Sequence, residues 1–135
     1  MTEEVMIAMH TVQYDTDDTV ELICKGKYTK KEDAEFVIFD QVEEDQVVKN
    51  LIKFSDGYLK VHKKGAIQSD MEFMLHRTNA SFYVTPFGTM DISTRTNSIT
   101  TKRTEDKIEI EVIYDLTINQ QFLSKCMVLI TITAC

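Results

Sequence analysis

Histidine and cysteine are the residue types in this chain that could hold a metal ion or act as a nucleophile. The three histidines, His10, His62 and His76, fall on three different predicted strands. Zinc could draw its ligands from three neighbouring strands, but none of these histidines has a second histidine or cysteine at ligand spacing. Dispersed histidines of this kind are typical of a protein surface. We therefore expect no metal site and no cofactor.

The cysteines favour packing over nucleophilic chemistry. Cys24 and Cys126 alternate with apolar neighbours, which is typical of small core residues, and Cys135 is the last residue. Their odd number and wide spacing also argue against a secreted disulfide framework. The sequence contains no Gly-x-Ser-x-Gly elbow, no His-Glu-x-x-His pair and no glycine-rich phosphate loop. It therefore predicts a protein that is not an enzyme.

Four residues remain as candidates for holding a ligand. By alternation, Arg77 falls on the same strand face as Phe73, and an interior guanidinium there would be a clamp for a carboxylate. The alternative is that the strand ends before Arg77, whose side chain then reaches solvent. Tyr114 lies on the apolar face of its strand, so its hydroxyl needs a partner, either a neighbouring strand or a ligand. With Tyr28, these residues form the candidate ligand-binding set: Arg77, Tyr114, Phe73 and Tyr28.

The elements that would position these residues are β-strands. Between Ile108 and Ile118 every even position is large and apolar, and every odd position except Ile113 is polar. On a strand these two sets point to opposite faces, whereas on a helix they would be spread around the axis. We expect the even set to be buried and Glu109, Glu111, Asp115 and Thr117 to be exposed.

Turn signals between such runs indicate the fold class. Asp56-Gly57 separates two apolar runs and predicts a tight type I′ hairpin, in which both central residues have positive φ. Short strands recur at a spacing of about 8–12 residues, which is typical of a sandwich or an antiparallel barrel. We predict an all-β protein formed by a single domain over residues 1–135, either a sandwich or an antiparallel barrel of about eight to ten strands.

Several short motifs, taken in order, give the chain a family resemblance. They are Gly26-Lys27-Tyr28, Gly65, Ser69-Asp70-Met71-Glu72-Phe73, Thr85-Pro86-Phe87-Gly88 and Ile110-Glu111-Val112-Ile113-Tyr114-Asp115-Leu116. In this order they resemble the YwiB-like family of small bacterial proteins of unknown function. The resemblance covers nearly the whole chain and implies a calycin-like barrel, similar in shape to lipocalins. It implies no activity and no catalytic residue, and the chain lacks the tryptophan of true lipocalins.

Charge and hydropathy restrict the partners. The net charge of −7 argues against nucleic acid, whose phosphates would be repelled. The first residues are acidic and no apolar stretch is long enough to span a bilayer, so we expect a cytoplasmic protein without a membrane partner. One interpretation is a module that binds one small, mainly apolar or anionic ligand inside the barrel. The other is an interaction or structural protein, a monomer or a homodimer, whose barrel is filled with side chains.

Overall fold

Ten antiparallel strands make up the computed structural model, which describes residues 2–16, 18–43 and 45–135. Each strand pairs with the next along the chain and β10 pairs back with β1, so the sheet closes into a barrel. The all-β antiparallel barrel expected from the sequence is confirmed. Nowhere in the described ranges is a helix long and apolar enough to cross a membrane. The strands are β1 (Thr2–Gln13), β2 (Asp18–Lys30), β3 (Glu35–Glu43), β4 (Gln46–Ser55), β5 (Tyr58–Gly65), β6 (Gln68–Met74), β7 (Thr78–Thr85), β8 (Gly88–Arg103), β9 (Lys107–Ile118) and β10 (Gln121–Ala134).

The alternation along β9 positions its apolar residues inward. Ile110, Val112 and Tyr114 are buried and Glu111 is exposed, as the pattern predicts. The remaining predicted positions of β9 differ in degree from the expectation, since they are neither fully buried nor fully exposed. Half-buried in the structure are Ile108, Glu109, Asp115, Leu116, Thr117 and Ile118.

Side chains fill the interior of the barrel. The inward residues of most strands form one continuous apolar cluster, in which every member is less than a tenth exposed. Burial of this kind is the main stabilising contribution to the fold. The cluster consists of Val5, Ile7, Val37, Phe39, Ile52, Phe54, Leu59, Val61, Phe73, Ile110, Val112, Tyr114, Cys126, Val128, Ile130 and Ile132.

The tight turns differ from the expected type. Gly57 has a φ of 71°, as the Asp56-Gly57 signal requires, but Asp56 does not share the positive φ that a type I′ turn needs at both positions. The type I′ prediction for this hairpin is therefore wrong. A positive φ at Gly57 but not at Asp56 matches a type II turn. Positive φ at two successive residues occurs instead at Asn119 and Gln120, with values of 49° and 68°, between β9 and β10.

In two places, adjacent strands share only a short ladder of backbone hydrogen bonds. We call these two places the seams of the barrel. Among the described residues, β2 and β3 pair only from Lys27↔Ile38 to Lys30↔Glu35, which defines the first seam. At the second seam, β6 and β7 pair only at Gln68↔Val84 and Ser69↔Tyr83. By contrast, β1 and β2 pair along their whole length, from Thr2↔Thr29 to Gln13↔Asp18. The wall of the barrel is otherwise continuous, so the seams are the places where it could contain a site.

Candidate functional site

A groove of about 800 Å³ lies at the first seam, where β2 and β3 stop pairing. Gly26 marks this point, because β2 there approaches β3 so closely that a Cβ would lie 2.7 Å from the Ile38 carbonyl oxygen and would also overlap Ile7. Beyond Gly26, the rest of β2 continues along β1 and the rest of β3 continues along β4. The two strands are therefore separated by a gap, and through this gap the groove extends into the wall of the barrel.

Strand register brings the outer lining of the groove together. One cross-strand row runs Lys27↔Ile38, Ile38↔Leu51 and Leu51↔His62, so β2 to β5 each contribute one neighbouring outward residue. A second row runs Asp40↔Lys49 and Lys49↔Lys64. Directly opposed residues on one face lie within side-chain reach, so the rows form one surface with an apolar middle and charged flanks.

The charge of this surface is opposite to that of the whole chain. Lysines outnumber acidic side chains in the lining by four to two, whereas the chain carries a net charge of −7. The four lysines are exposed, and none forms an ion pair with another residue of the described ranges. They are Lys25, Lys27, Lys49 and Lys64, and the acidic residues are Glu4 and Asp40.

The groove also reaches residues of the inner face. Val5, Gly26, Phe39 and Asn50 line it, and all except Gly26 are buried. Asn50 is 3% exposed, and its Nδ2 donates to the Val48 carbonyl oxygen at 3.2 Å. Its Oδ1 is buried and has no hydrogen-bond partner among the described residues. A groove with cations outside, apolar side chains along it and one unpartnered amide oxygen can hold an amphipathic anion.

A polar cluster lies at the paired end of the same seam. Tyr28 on β2 donates its hydroxyl to Glu35 on β3, and the guanidinium of Arg103 on β8 forms two hydrogen bonds with the same carboxylate, one of them 2.8 Å long. The hydrogen bonds from Arg103 hold the pKa of Glu35 below its usual range. Burial, together with the bond to Glu35, raises the pKa of Tyr28 to about 12. Each group keeps its ordinary charge at neutral pH, and the cluster joins β2, β3 and β8.

The four residues predicted to bind a ligand do not form one site. Phe73 and Tyr114 do meet, with ring centroids 4.9 Å apart and planes at 59°, but both are core residues packed by their neighbours. Burial raises the pKa of Tyr114 above its usual range, and the adjacent Cys126 thiol acts in the same direction. Tyr28 belongs to the polar cluster and lines a cavity of about 180 Å³ beside it.

Of the two positions considered for Arg77, the interior one is wrong. Strand β6 ends at Met74, and Arg77 is exposed in the connection to β7. Its backbone is fixed by a hydrogen bond from its N–H to the Met74 carbonyl oxygen and one from the Thr96 N–H to its own carbonyl oxygen. The alternative, a strand that ends before Arg77 and leaves its side chain in solvent, is the one the structure bears out.

The histidines remain apart in space as they are in sequence. Within the described residues, no three His, Cys, Asp or Glu side chains gather as they would around a metal ion. His10 lies 3.1 Å from Glu21, and His62 lies 3.6 Å from Asp70, each as a surface pair. These pairs account for the two histidines without a metal.

Comparison with known proteins gives a family without an assigned activity. A family model described as "Domain of unknown function (DUF1934)" matches residues 5–130. The uncharacterized beta-barrel protein YwiB of Bacillus subtilis (strain 168) is 25% identical over 125 residues, which cover 90% of this chain and 88% of that protein. The crystal structure of the ywiB protein from Bacillus subtilis matches with a TM-score of 0.85 and 21% identity, over 99% of this chain and 93% of that one. The last comparison agrees with the barrel fold.

Proposed function

Since the chain belongs to the DUF1934 family, whose description names no activity, we propose from the geometry alone that it is a non-catalytic binding module for one small amphipathic anion. The ligand lies in the groove at the first seam rather than inside the barrel. The observation that carries the proposal is the groove itself, with its apolar middle and its lysines.

The dimensions of the groove suit a small molecule. Its volume of about 800 Å³ falls within the range of about 300–1,000 Å³ that is usual for small-molecule sites. Ile38 is 51% exposed on the outer face, and Leu51 lies beside it in register. An apolar ligand body that covers these side chains would remove their surface from water, which is favourable in proportion to the area covered.

The lysines provide the attraction for an anionic group. The negative charge of the chain repels an anion at long range, but screening at physiological salt acts over ~8 Å, so nearby ammonium groups determine the field inside the groove. Lys25 on β2 and Lys49 on β4 lie on the two sides of the seam, and both are exposed. A carboxylate beside either lysine would form charge-assisted hydrogen bonds.

A displacement assay with a fluorescent fatty acid tests this proposal. The double variant Lys25→Ala/Lys49→Ala removes two cations from the groove, and Arg77→Ala/Lys125→Ala removes two exposed cations outside it. We expect the groove variant to bind about tenfold more weakly, since two partly exposed charge contacts contribute ~1.4 kcal/mol together. The control should bind like the wild type. Equal weakening in both variants would show that only the overall charge matters and would contradict the groove as the site.

A second candidate function is an interaction or structural protein without a small-molecule ligand. The observation that favours it is the filled barrel interior, where sixteen residues form one buried cluster. Native mass spectrometry of the protein purified from cells separates the two candidates. A bound small molecule that is lost in the Lys25→Ala/Lys49→Ala variant supports the binding module, whereas a ligand-free mass together with no displacement of the fatty acid supports the second candidate.

A further inference from the structure

Asn50 presents a hydrogen-bond acceptor that nothing in its surroundings uses. It is 3% exposed on the inner face of β4, and it lines the groove. Its amide orientation is fixed, because the Val48 carbonyl oxygen can only accept and therefore faces Nδ2. The Oδ1 atom is left buried and without a partner in the part of the chain that the structure describes.

An unpartnered acceptor of this kind is unusual in a folded protein. Buried polar atoms are almost always hydrogen-bonded, because burial without a partner loses the bonds to water and gains none in return. Phe39 on β3, which is apolar and also lines the groove, pairs with Asn50 in register. Phe39 therefore offers no donor on that side, and on the other side the register partner of Asn50 is Lys63 on β5.

We propose that the groove selects amphipathic anions that also carry a neutral hydrogen-bond donor, an amide N–H or a hydroxyl, which Asn50 Oδ1 accepts. This inference rests on the proposed function and names the ligand class of the same site. The lysines on the outer face bind the anionic group, the apolar side chains cover the body, and Asn50 distinguishes ligands with a donor from those without one.

Two pairs of matched probes test the selection, each competed against the fluorescent fatty acid. Decanoylglycine and decanoylsarcosine share the carboxylate and the acyl chain, but only decanoylglycine has an amide N–H. Decanoate and its β-hydroxy derivative differ by one hydroxyl. We expect the donor-bearing member of at least one pair to bind the wild type about tenfold more tightly, which corresponds to ~1.4 kcal/mol.

The variant Asn50→Leu connects the preference to this residue. Leucine has a similar size and no polar atom, so we expect the affinity ratio between the two members of a pair to fall to about one. The wild-type ratio tests the inference even if this variant does not fold. Equal binding of both members of both pairs overturns the inference and leaves the proposed function standing, whereas no displacement by any probe overturns both. A preference that persists in Asn50→Leu overturns the assignment to Asn50.

Discussion

Both seams of the barrel lack part of the backbone ladder, but one seam is closed by side chains and the other stays open. At the second seam, side chains replace the missing ladder: Asn79 Nδ2 and Thr94 Oγ1 both donate to the Glu72 carbonyl oxygen at 3.1 Å. The cavity that remains there is about 10 Å³, which is room for at most one water. At the first seam the wall stays open beyond Gly26, and the gap becomes a groove of about 800 Å³.

This difference shows that a short ladder does not by itself make a binding site. Backbone groups that lose their strand partner need another partner, and polar side chains of suitable length can supply it. Where such side chains are present, the seam is closed and contributes to stability. Where such side chains are absent and the strands diverge, the gap left by the short ladder is available for a ligand.

Gly26→Val should have the largest effect, because it acts on the closest approach at the open seam. The new side chain would overlap the Ile38 backbone and Ile7, and we expect a loss of about 2–3 kcal/mol in the free energy of unfolding. Urea denaturation measures it. Gly57→Ala is the control, since a Cβ there meets nothing within 4 Å and only the φ of 71° resists it, which should cost ~1 kcal/mol. If both variants lost the same amount, the close approach at Gly26 would not matter.

Glu35→Gln should have the next largest effect, because it loosens the polar cluster that fastens the paired end of the open seam. We expect a loss of about 1–2 kcal/mol at neutral pH, since the buried carboxylate accepts charge-assisted hydrogen bonds from Arg103. The pKa of Glu35 is lowered in the folded state, so its contribution is complete above the unfolded value of ~4.3 and is lost as the pH falls through the folded pKa.

The difference in unfolding free energy between wild type and Glu35→Gln should therefore shrink on acidification below ~pH 4. Urea denaturation at neutral and acidic pH gives this difference. Glu109→Gln is the matched control, because Glu109 forms its ion pair with Lys107 on the exposed surface and should change stability little at either pH. A wild-type-to-variant difference that does not depend on pH would contradict an ionised, hydrogen-bonded Glu35.

Strand periodicity was sufficient to predict an all-β protein and the family resemblance implied the barrel, but the seams depend on contacts that are distant in sequence. The alternation along β9 is visible in eleven consecutive residues, so its inward face follows directly. The Glu35–Arg103 pair joins residues 68 positions apart, and nothing in either local sequence indicates the other. The sequence left two positions open for Arg77, because one residue of uncertainty at a strand end reverses the face of a side chain.

One feature of the sequence could have located the groove. Gly26 interrupts an alternating strand, and a glycine inside a strand often marks a close approach of another backbone. Lys25 and Lys27 flank it on one face, but their partners across the seam, such as Ile38 and Lys49, become apparent only when the register is known. The two cross-strand rows that line the groove could therefore be identified only from the structure.

Thr94→Val tests the closed seam and should have a smaller effect than the two changes at the open seam. Valine has nearly the same shape as threonine but removes the donor to the Glu72 carbonyl oxygen. That oxygen keeps its bond from Asn79, so we expect a loss of about 1 kcal/mol, the usual value for one hydrogen bond. No change in the urea midpoint would mean that the side-chain bond does not replace the ladder.

Thr96→Val should have the smallest effect, and in the opposite direction. Thr96 lies on the same strand and the same inward face as Thr94, two residues further on, and it is fully buried. Its backbone binds the connection between β6 and β7. The Thr96 carbonyl oxygen accepts from the His76 N–H at 2.9 Å, and the Thr96 N–H donates to the Arg77 carbonyl oxygen. Its hydroxyl, however, has no hydrogen-bond partner within residues 2–16, 18–43 and 45–135.

Replacing an unpartnered buried hydroxyl by a methyl group of the same shape removes a desolvation penalty and loses no bond. We therefore expect Thr96→Val to leave the free energy of unfolding unchanged or to raise it by up to ~1 kcal/mol, as measured by urea denaturation beside Thr94→Val. The two variants make the same chemical change at neighbouring positions, so differences in helix or strand propensity and in the unfolded chain cancel between them. A loss at Thr96 equal to that at Thr94 would show that position on β8, and not the hydrogen bond to Glu72, determines the cost.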